Sequence, residues 1–230
     1  MVSIQGAIAV VTGGQRGLGK AIADELLRRG AAKVYATARA PRPSADPRAV
    51  SVALDVTDAE SVAALAEIAA DVQIVVNNAG VAGGHSLLGS DLGEIREVFE
   101  TNYFGALRVA KAFAPILAAN GGGALVDIHS VLSWMGGFGA YGASKAALWS
   151  ATNSLRVELE GQGTAVTGVH LGYTDTDMVA DVDAAKNDPR DVARSIVDAV
   201  ERGDAEVLAD DLTRYVKAAL SGPVEALRAG

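Results

Sequence analysis

The sequence predicts an α/β fold, one doubly wound parallel sheet covered by helices on both faces. Three observations carry that expectation. Short apolar runs rich in Val and Ile recur along the chain, amphipathic stretches at helical spacing separate them, and the unusual clusters of Gly, Asn and hydroxyl residues stand just after the runs. Strands that read as near-continuous apolar runs are buried on both faces, as in a parallel sheet. Right-handed crossovers then wind the sheet in two directions and place ligands at the carboxyl ends of its strands.

The elements follow in order. Ala7 to Val11 is the first strand, a glycine cluster at positions 13, 14, 17 and 19 is the turn, and Ile22, Leu26 and Leu27 mark a helix that stops at Gly30. Lys33 to Ala38 is strand two, ending at Arg39 before a loop with Pro41, Pro43 and Pro47. Val50 to Leu54 is strand three, and Asp58 caps a helix with Val62, Leu65 and Ile68 on one face. Val72 to Val76 is strand four, followed by Asn77-Asn78-Ala79-Gly80. A single long helix is expected from about Asp91 to Leu117, then strand five from Ala124 to Ile128, a helix from Tyr141 to Glu160 and strand six from Ala165 to Leu171. Asp188-Pro189 opens a further helix, with Asp as the cap and Pro in its first turn. Glu206 to Ala209 is a short last strand and Asp211 to Leu220 a closing helix.

Composition sets the bounds. A chain of 230 residues that is 50% hydrophobic has core enough for one domain, and residues 1–230 show no linker or repeat. A formal net charge of -8 and a pI near 4.9 argue against a nucleic-acid partner, which needs a basic face. Without cysteine there is neither a disulfide scaffold nor a thiolate metal site, and no metal centre is expected. No stretch reaches membrane-span length and MVSIQGAIAV lacks a basic n-region, so the expectation is a soluble, cytoplasmic protein.

The glycine turn has competing readings. Strand, glycine turn and helix make a phosphate site, because glycine lets backbone N–H groups approach an anion and the helix N-terminus adds its dipole. Gly14 to Lys20 nearly spells a P-loop, but Ala21 stands where the Mg²⁺-binding hydroxyl belongs. The alternative is a dinucleotide turn spaced Gly13-x-x-x-Gly17-x-Gly19, and the bland alternative is a tight turn without a ligand. A second constellation, Tyr141-Gly142-Ala143-Ser144-Lys145, puts a phenol and an ammonium on one helix face. Ser130 precedes it, just past strand five. An ammonium beside a phenol favours the phenolate, so the pair is expected to lower the tyrosine pKa and make Tyr141 a proton donor and acceptor.

These motifs together resemble the short-chain dehydrogenase/reductase family over nearly the whole chain, and the resemblance makes the expected fold Rossmann-like. The family's T-G-x-x-x-G-x-G turn matches Thr12, Gly13, Gly17 and Gly19, its N-N-A-G matches Asn77 to Gly80, and its Y-x-x-x-K matches Tyr141 and Lys145. The resemblance implies an oxidoreductase in which Tyr141 exchanges a proton with the substrate oxygen, Ser130 hydrogen-bonds that oxygen, Lys145 holds the nicotinamide ribose and Asn102 positions a water. For Asn102 the alternative is a polar residue satisfying helix backbone. The implied cofactor surface comprises Gly13, Gln15, Arg16, Gly17, Leu18, Gly19, Arg39, Asp55 (toward the adenine), Val56, Asn78, Ala79, Gly80, Tyr141, Lys145, Gly172, Thr174 and Thr176. Two departures stand out. Leu171-Gly172-Tyr173-Thr174-Asp175-Thr176 replaces the family's P-G-x-x-x-T, and the Ser130–Tyr141 spacing is short, which keeps Ser133 as a rival for the serine role. His129 and His170 read as satisfied core histidines.

Cofactor choice follows from the tip of strand two. An NAD site puts a carboxylate there, whereas this chain has Thr37-Ala38-Arg39 and adds Arg16 in the turn, so NADP(H) is expected. The candidate substrate lining of Leu132, Trp134, Met135, Phe138, Tyr173 and Met178 suits a small apolar ketone, aldehyde or secondary alcohol. The acidic lid, with Asp181, Asp183 and Asp188, disfavours phosphorylated or acyl-carrier substrates. Val109, Phe113, Leu148 and Trp149 read as apolar surplus that would join copies of the chain into a homodimer or homotetramer. A non-enzymatic NADP-binding sensor is the second functional class, and a sugar-nucleotide epimerase a third, disfavoured because 230 residues leave no room for its substrate domain.

Overall fold

A computed structural model describes residues 2–228. Seven strands form one parallel sheet: β1 (Ile8–Val11), β2 (Lys33–Ala38), β3 (Ala49–Ala53), β4 (Ile74–Asn77), β5 (Gly123–Ile128), β6 (Thr164–His170) and β7 (Glu206–Leu208). Their order across the sheet is β3-β2-β1-β4-β5-β6-β7, every neighbouring pair being parallel. The chain therefore starts mid-sheet, winds out to β3, and crosses back to lay β4 against the other side of β1. Between those two strands lies the topological switch point, where such sheets bind ligands.

The helices are α1 (Gly17–Arg28), α2 (Ala59–Ile68), α3 (Leu92–Phe99), α4 (Ala106–Ala119), α5 (Gly139–Glu158), α6 (Pro189–Arg202) and α7 (Asp211–Ala219). One core cluster joins Ile22 and Leu26 of α1 to Ile196 and Val200 of α6 across alternate residues of β1, β4 and β5. The other joins Val62 and Leu65 of α2 to Val109 and Phe113 of α4 on the opposite sheet face. Strand residues alternate between the two clusters, as a two-sided sheet requires. A third, smaller cluster packs Trp134 and Trp149 against Val216 of α7.

The expected N-caps form. Asp58, Asp91 and Asp188 each accept a backbone N–H from the first turn of α2, α3 and α6, and Pro189 opens α6. Among the described residues no helix is long and apolar enough to cross a membrane.

Two expectations are corrected. The long helix expected from Asp91 to Leu117 is α3 and α4 joined by a π-helical stretch, Glu100–Gly105. Its backbone stays right-handed throughout, so hydrophobic spacing alone shows no break there. The extra residue per turn coincides with Asn102, whose side chain bonds backbone outside the helix, and with Gly105, where a Cβ would sit 2.7 Å from Val56 Cγ2. The second correction concerns the apolar surplus. Val109, Phe113 and Leu148 are fully buried within the single chain, and Trp149 packs on Trp134 and Val216. The reason is that α4 is covered on two sides, by the sheet and by α2, so more of its circumference is core than one sheet-facing stripe.

Candidate active site

The site is assembled at the carboxyl edge of the sheet, beginning with Thr12 at the end of β1. Its Oγ1 accepts the backbone N–H groups of Asn78 and Ala79, both at 2.9 Å, and donates to the Val76 carbonyl. Asn78 answers with Nδ2, which donates to the carbonyls of Thr12 at 2.9 Å and Gly13 at 3.3 Å. The strand ends on either side of the switch point are thereby tied together, and the Asn78 amide is occupied in shaping the turn.

The glycine turn runs from here into α1. Gly17 has φ +50, and a Cβ on Gly19 would lie 2.3 Å from the Gly13 carbonyl oxygen, so neither position accepts a larger residue without rearrangement. Arg16 occupies the cap position of α1 but makes no side-chain cap, and no acid stands in the first turn. Gln15 points to the loop after β2, donating to the Ala36 and Arg42 carbonyls and accepting the Arg42 N–H at 2.8 Å. Leu18 is buried beneath the turn. Across from it, Thr176 approaches so closely that a Cβ on Gly17 would meet its Cγ2 at 3.1 Å.

The adenine side is built by β2 and β3. Arg39, at the tip of β2, and Arg16 are exposed and form no ion pair among the described residues. Asp55, after β3, accepts the backbone N–H and hydroxyl of Thr57 on Oδ1, which leaves Oδ2 open. Those hydrogen bonds, helped by the charge of Arg39, hold its carboxyl below the ordinary range. Val56 is buried against Gly105.

Four side chains converge where β4, β5, the π-helical stretch and α5 meet. Asn102 accepts the Val81 N–H at 2.8 Å on Oδ1 and donates from Nδ2 to the Val81 carbonyl and Ser144 Oγ, both at 3.0 Å. It therefore fixes the loop after β4 and does not serve its own helix backbone. Gly80 lies beside it, and a Cβ there would sit 3.2 Å from Asn102 Oδ1 and 3.6 Å from Lys145 Nζ. Lys145 is 4% exposed and donates to the Ile128 carbonyl at 2.7 Å, with Nζ 5.9 Å from the Tyr141 ring centroid. Ser130 Oγ accepts the Leu132 N–H at 3.1 Å and stands close enough to the Tyr141 phenol to act on its titration. Ser133 Oγ instead donates to the Ser130 carbonyl at 2.6 Å, bracing the turn that carries Ser130.

Electrostatics here differ from the sequence expectation. Burial pushes the Tyr141 phenol up to about 12; the Ser130 hydrogen bond opposes the shift and neighbouring Tyr173 adds to it. Burial drives Lys145 down to about 8, the charge of Asp127 acting against it. The expected lowering of the phenol is thus reversed in the protein alone, because both partners are desolvated and the ammonium faces the Ile128 carbonyl.

Residues that sequence reasoning missed complete the site. Asp210, the cap of α7, accepts the Gly172 N–H and the Asn187 amide on Oδ2, both at 2.7 Å, and so pins the loop after β6. Burial raises its carboxyl, but hydrogen bonds from Gly172, Thr213 and Asn187 outweigh that and hold it low. Thr174, on this loop, is buried and pairs with Asn187. Only the capping pattern Asp210-x-x-Thr213 marked Asp210 in advance. Of the expected substrate lining, Trp134 is core: it stacks on His170 at 3.8 Å and 19°. Leu132 and Met135 pack against its cluster. Phe138 and Tyr173 are half-buried at the cleft and Met178 is exposed.

The geometry defines a class first: a doubly wound dinucleotide-type fold with buried Ser130, Lys145 and Asn102 and a half-buried Tyr141 at its switch-point edge. The short chain dehydrogenase family profile matches residues 7–187, and the chain belongs to that family. It is 32% identical over 220 residues to the 3-oxoacyl-[acyl-carrier-protein] reductase FabG of Vibrio cholerae, covering 85% of this chain and 90% of that one. It is 36% identical over 234 residues to a 1-deoxy-11-beta-hydroxypentalenate dehydrogenase of Streptomyces exfoliatus, covering 94% and 80%. A short chain dehydrogenase from Burkholderia cenocepacia, solved in complex with NADP, superposes with a TM-score of 0.92 at 35% identity over 98% of this chain and 97% of that one. The protein is accordingly an oxidoreductase of the kind that uses a nicotinamide cofactor. Its residues fit such a group: the Gly13–Gly19 cradle and Gly80 are places a Cβ would fill, and Asp55 Oδ2 is open.

Burial of Lys145 makes a stability prediction. A lysine whose folded pKa is about 8 instead of 10.5 binds fewer protons folded than unfolded between those values, so stability rises with pH across that window. Relative to Lys145→Met, the wild type should gain about 3 kcal/mol between pH 8 and 10.5, read from urea unfolding at stepped pH. A flat difference would show that the ammonium is not desolvated.

Proposed function

We propose that the protein is an NADP(H)-dependent carbonyl reductase or alcohol dehydrogenase acting on a small apolar ketone, aldehyde or secondary alcohol. The observation that carries this reading is a buried Lys145 ammonium 5.9 Å from the Tyr141 ring centroid and bonded to the Ile128 carbonyl, two residues before Ser130. When bound, the nicotinamide supplies or accepts the hydride.

The chain's own residues do the rest. In the reducing direction Tyr141 Oη gives its proton to the carbonyl oxygen as hydride reaches the carbon, leaving an alcohol, a phenolate and an oxidised nicotinamide. Ser130 Oγ already accepts from the Leu132 N–H, so its own hydrogen is oriented to donate to the same oxygen. Lys145 would hold the ribose hydroxyls, and its charge would favour the phenolate that forms. Asn102 would keep the Val81 loop and Ser144 in place around Lys145 and position a water there. Gly172, Thr174 and Thr176 would border the nicotinamide, and Phe138, Tyr173 and Met178 the substrate. The acidic lid favours a free substrate over a carrier-bound one, so a free ketone should be reduced in preference to a 3-oxoacyl thioester.

Replacing Tyr141 by Phe keeps the ring and removes the proton. Turnover of an accepted ketone should fall by roughly 10²–10⁴-fold while NADPH binding, followed by its fluorescence, changes little. NADPH binding by the wild type with no turnover across a ketone panel would leave the NADP-sensing reading instead.

Arg39 and Arg16 support NADP(H), since each can make a charge-assisted bond to a 2′-phosphate and no carboxylate stands at the tip of β2 to repel it. One such contact is worth about 1.5–3 kcal/mol, roughly tenfold or more in preference. Arg39→Ala should therefore raise the KM for NADPH about tenfold and leave that for NADH nearly unchanged. Equal wild-type efficiency with the two cofactors would overturn the assignment.

Self-association of the chain is proposed on a surface other than the one the sequence suggested. Phe104, 45% exposed in the π-helical stretch, and Val157, 74% exposed on α5, are apolar side chains left in water by the single chain. Light scattering at micromolar concentration should give a dimer or tetramer, and Phe104→Glu should shift it toward monomer.

A further inference from the structure

Beneath α5 the site holds a second buried charge that the mechanism above does not use. Asp127, in β5, is 0% exposed, yet its carboxylate makes no ion pair among the described residues. Its partners are neutral: Asn77 Nδ2 donates to Oδ1 at 2.9 Å and Thr152 Oγ1 donates to Oδ2 at 2.7 Å. His129 closes the shell, its Nε2 at 2.8 Å from Thr152 Oγ1 and its Nδ1 at 3.1 Å from His170 Nε2. The single Thr152 hydrogen has two acceptors in range, Asp127 Oδ2 and the Leu148 carbonyl at 2.8 Å, and with that hydrogen directed to the carboxylate His129 Nε2 is the donor to Thr152. Two oxygens that each accept a hydrogen bond suit an ionised carboxylate.

Lys145 is the complementary case. It too is buried without an ion pair, and its Nζ is bonded to the carbonyl of Ile128, the residue after Asp127. A buried charge with no opposite charge nearby is expensive to keep. The groups that face these two can be named element by element. Lys145 and Arg156 of α5 supply the positive charges, Asp127 the negative one, and Tyr141 of α5 and the two imidazoles, His129 just past β5 and His170 of β6, are neutral near pH 7; Glu206 of β7 and Lys217 of α7 face the far side of His170. Burial holds both imidazoles well below the usual range. It also raises the Asp127 carboxyl, and the hydrogen bonds from Asn77 and Thr152 and the charges of Lys145 and Arg156 oppose that rise.

We propose that Asp127 is a positioning residue that keeps Lys145 protonated from a distance, as a counter-charge behind the strand and not as a salt-bridge partner. The arrangement has a chemical use. A carboxylate in contact with Nζ would occupy its hydrogens, whereas one held away by Asn77 and Thr152 supplies the field and leaves the ammonium free toward Gly80 and the cleft. The catalytic half of this inference rests on the role given to Lys145 above; the stability half does not.

The test uses Asp127→Asn, which keeps the shape and removes the charge. Thr152 tolerates the swap because its hydroxyl has a second acceptor, the Leu148 carbonyl at 2.8 Å. The stability difference between a protein and its Lys145→Met partner is measured against pH in wild-type and Asp127→Asn backgrounds. In the Asn background the rise with pH should begin about one unit or more below the wild-type onset near 8, since an unscreened charge at several ångströms is worth that much in a partly buried site. The alkaline limb of the kcat profile should move by the same amount while the KM for NADPH near neutral pH holds. Thr152→Val, which removes a hydrogen bond but leaves the carboxylate, should leave the onset in place. Identical onsets in wild type and Asp127→Asn, or equal shifts in Asp127→Asn and Thr152→Val, would overturn the proposal. If Asp127→Asn does not fold, the ¹³C carboxyl resonance of Asp127 in the wild type decides: an ionised group near neutral pH supports it and a protonated one overturns it. If the stability onset moves and Tyr141→Phe keeps its turnover, the counter-charge stands and the catalytic reading falls.

Discussion

The hydroxyl of Thr12 is the constraint on which the rest depends. A parallel sheet that winds both ways leaves a gap between the ends of β1 and β4, and a ligand site there is useful only if the two ends hold a fixed distance. Thr12 closes the gap with three hydrogen bonds through one oxygen, and Asn78 returns two more from its amide. The glycine turn, which has no side chains to brace itself, takes its shape from that tie. The first turn of α1, the approach of Thr176 to Gly17 and the seat of Gly80 beside Lys145 all inherit it. A hydroxyl suits the position because it donates and accepts at once, so neither strand end is left with an unpaired buried polar group.

Further along the edge the structure accepts a cost that a purely structural core would avoid. Lys145, Asp127, Asn102, His129 and His170 are all buried within a few residues of one another along the chain or across the sheet. Each has at least one hydrogen-bond partner in backbone or a neighbouring side chain, while Asn77 Oδ1 and the Trp134 indole N–H beside them lack one among the described residues. Those hydrogen bonds keep such a network from melting the core, but they do not make the burial of charge favourable. What desolvation does achieve is sensitivity. With Tyr141 pushed up to about 12 and Lys145 down to about 8, each group responds strongly to any charge or hydrogen bond that a ligand brings. An anionic or hydroxyl-bearing ligand is the natural complement of a site tuned that way.

How much of this was legible depends on whether the determinant is local in the chain. Gly17, Gly19 and the Tyr141/Lys145 pair follow from turn geometry and helical spacing over a few residues, and the doubly wound parallel sheet follows from the alternation of strands and helices and from crossover handedness. The π-helical stretch was not legible, because its cause is Asn102 reaching to Val81, far off in sequence, with no change in hydrophobic period. Val109 and Phe113 were misread for a related reason. A single helical stripe predicts one buried face, and only the tertiary arrangement shows that α2 covers a second. Trp134 was taken for a pocket wall because it neighbours Ser130 in sequence, whereas the turn after Ser130 rolls it under α7 onto His170. The phenol's shift was misjudged in sign because the pairing of charges is visible in a motif and desolvation is not.

The hardest feature to read, the substrate, has a physical explanation in the same terms. The family profile spans residues 7–187, which includes the glycine turn, Ser130, Tyr141 and Lys145. The loops that shape the substrate side are anchored by what lies beyond. Asp210 holds Gly172 and Asn187 together, and the Gly136 N–H donates to the Leu227 carbonyl at 2.9 Å, fixing the segment between Trp134 and Phe138 to the end of the chain. The family profile thus takes in the glycine turn and the Ser130, Tyr141 and Lys145 group, while α7 and the closing turn Val224–Leu227 brace the loops beside them. The motifs that identify the family lie apart from these braces, so they say little about the shape of the cleft.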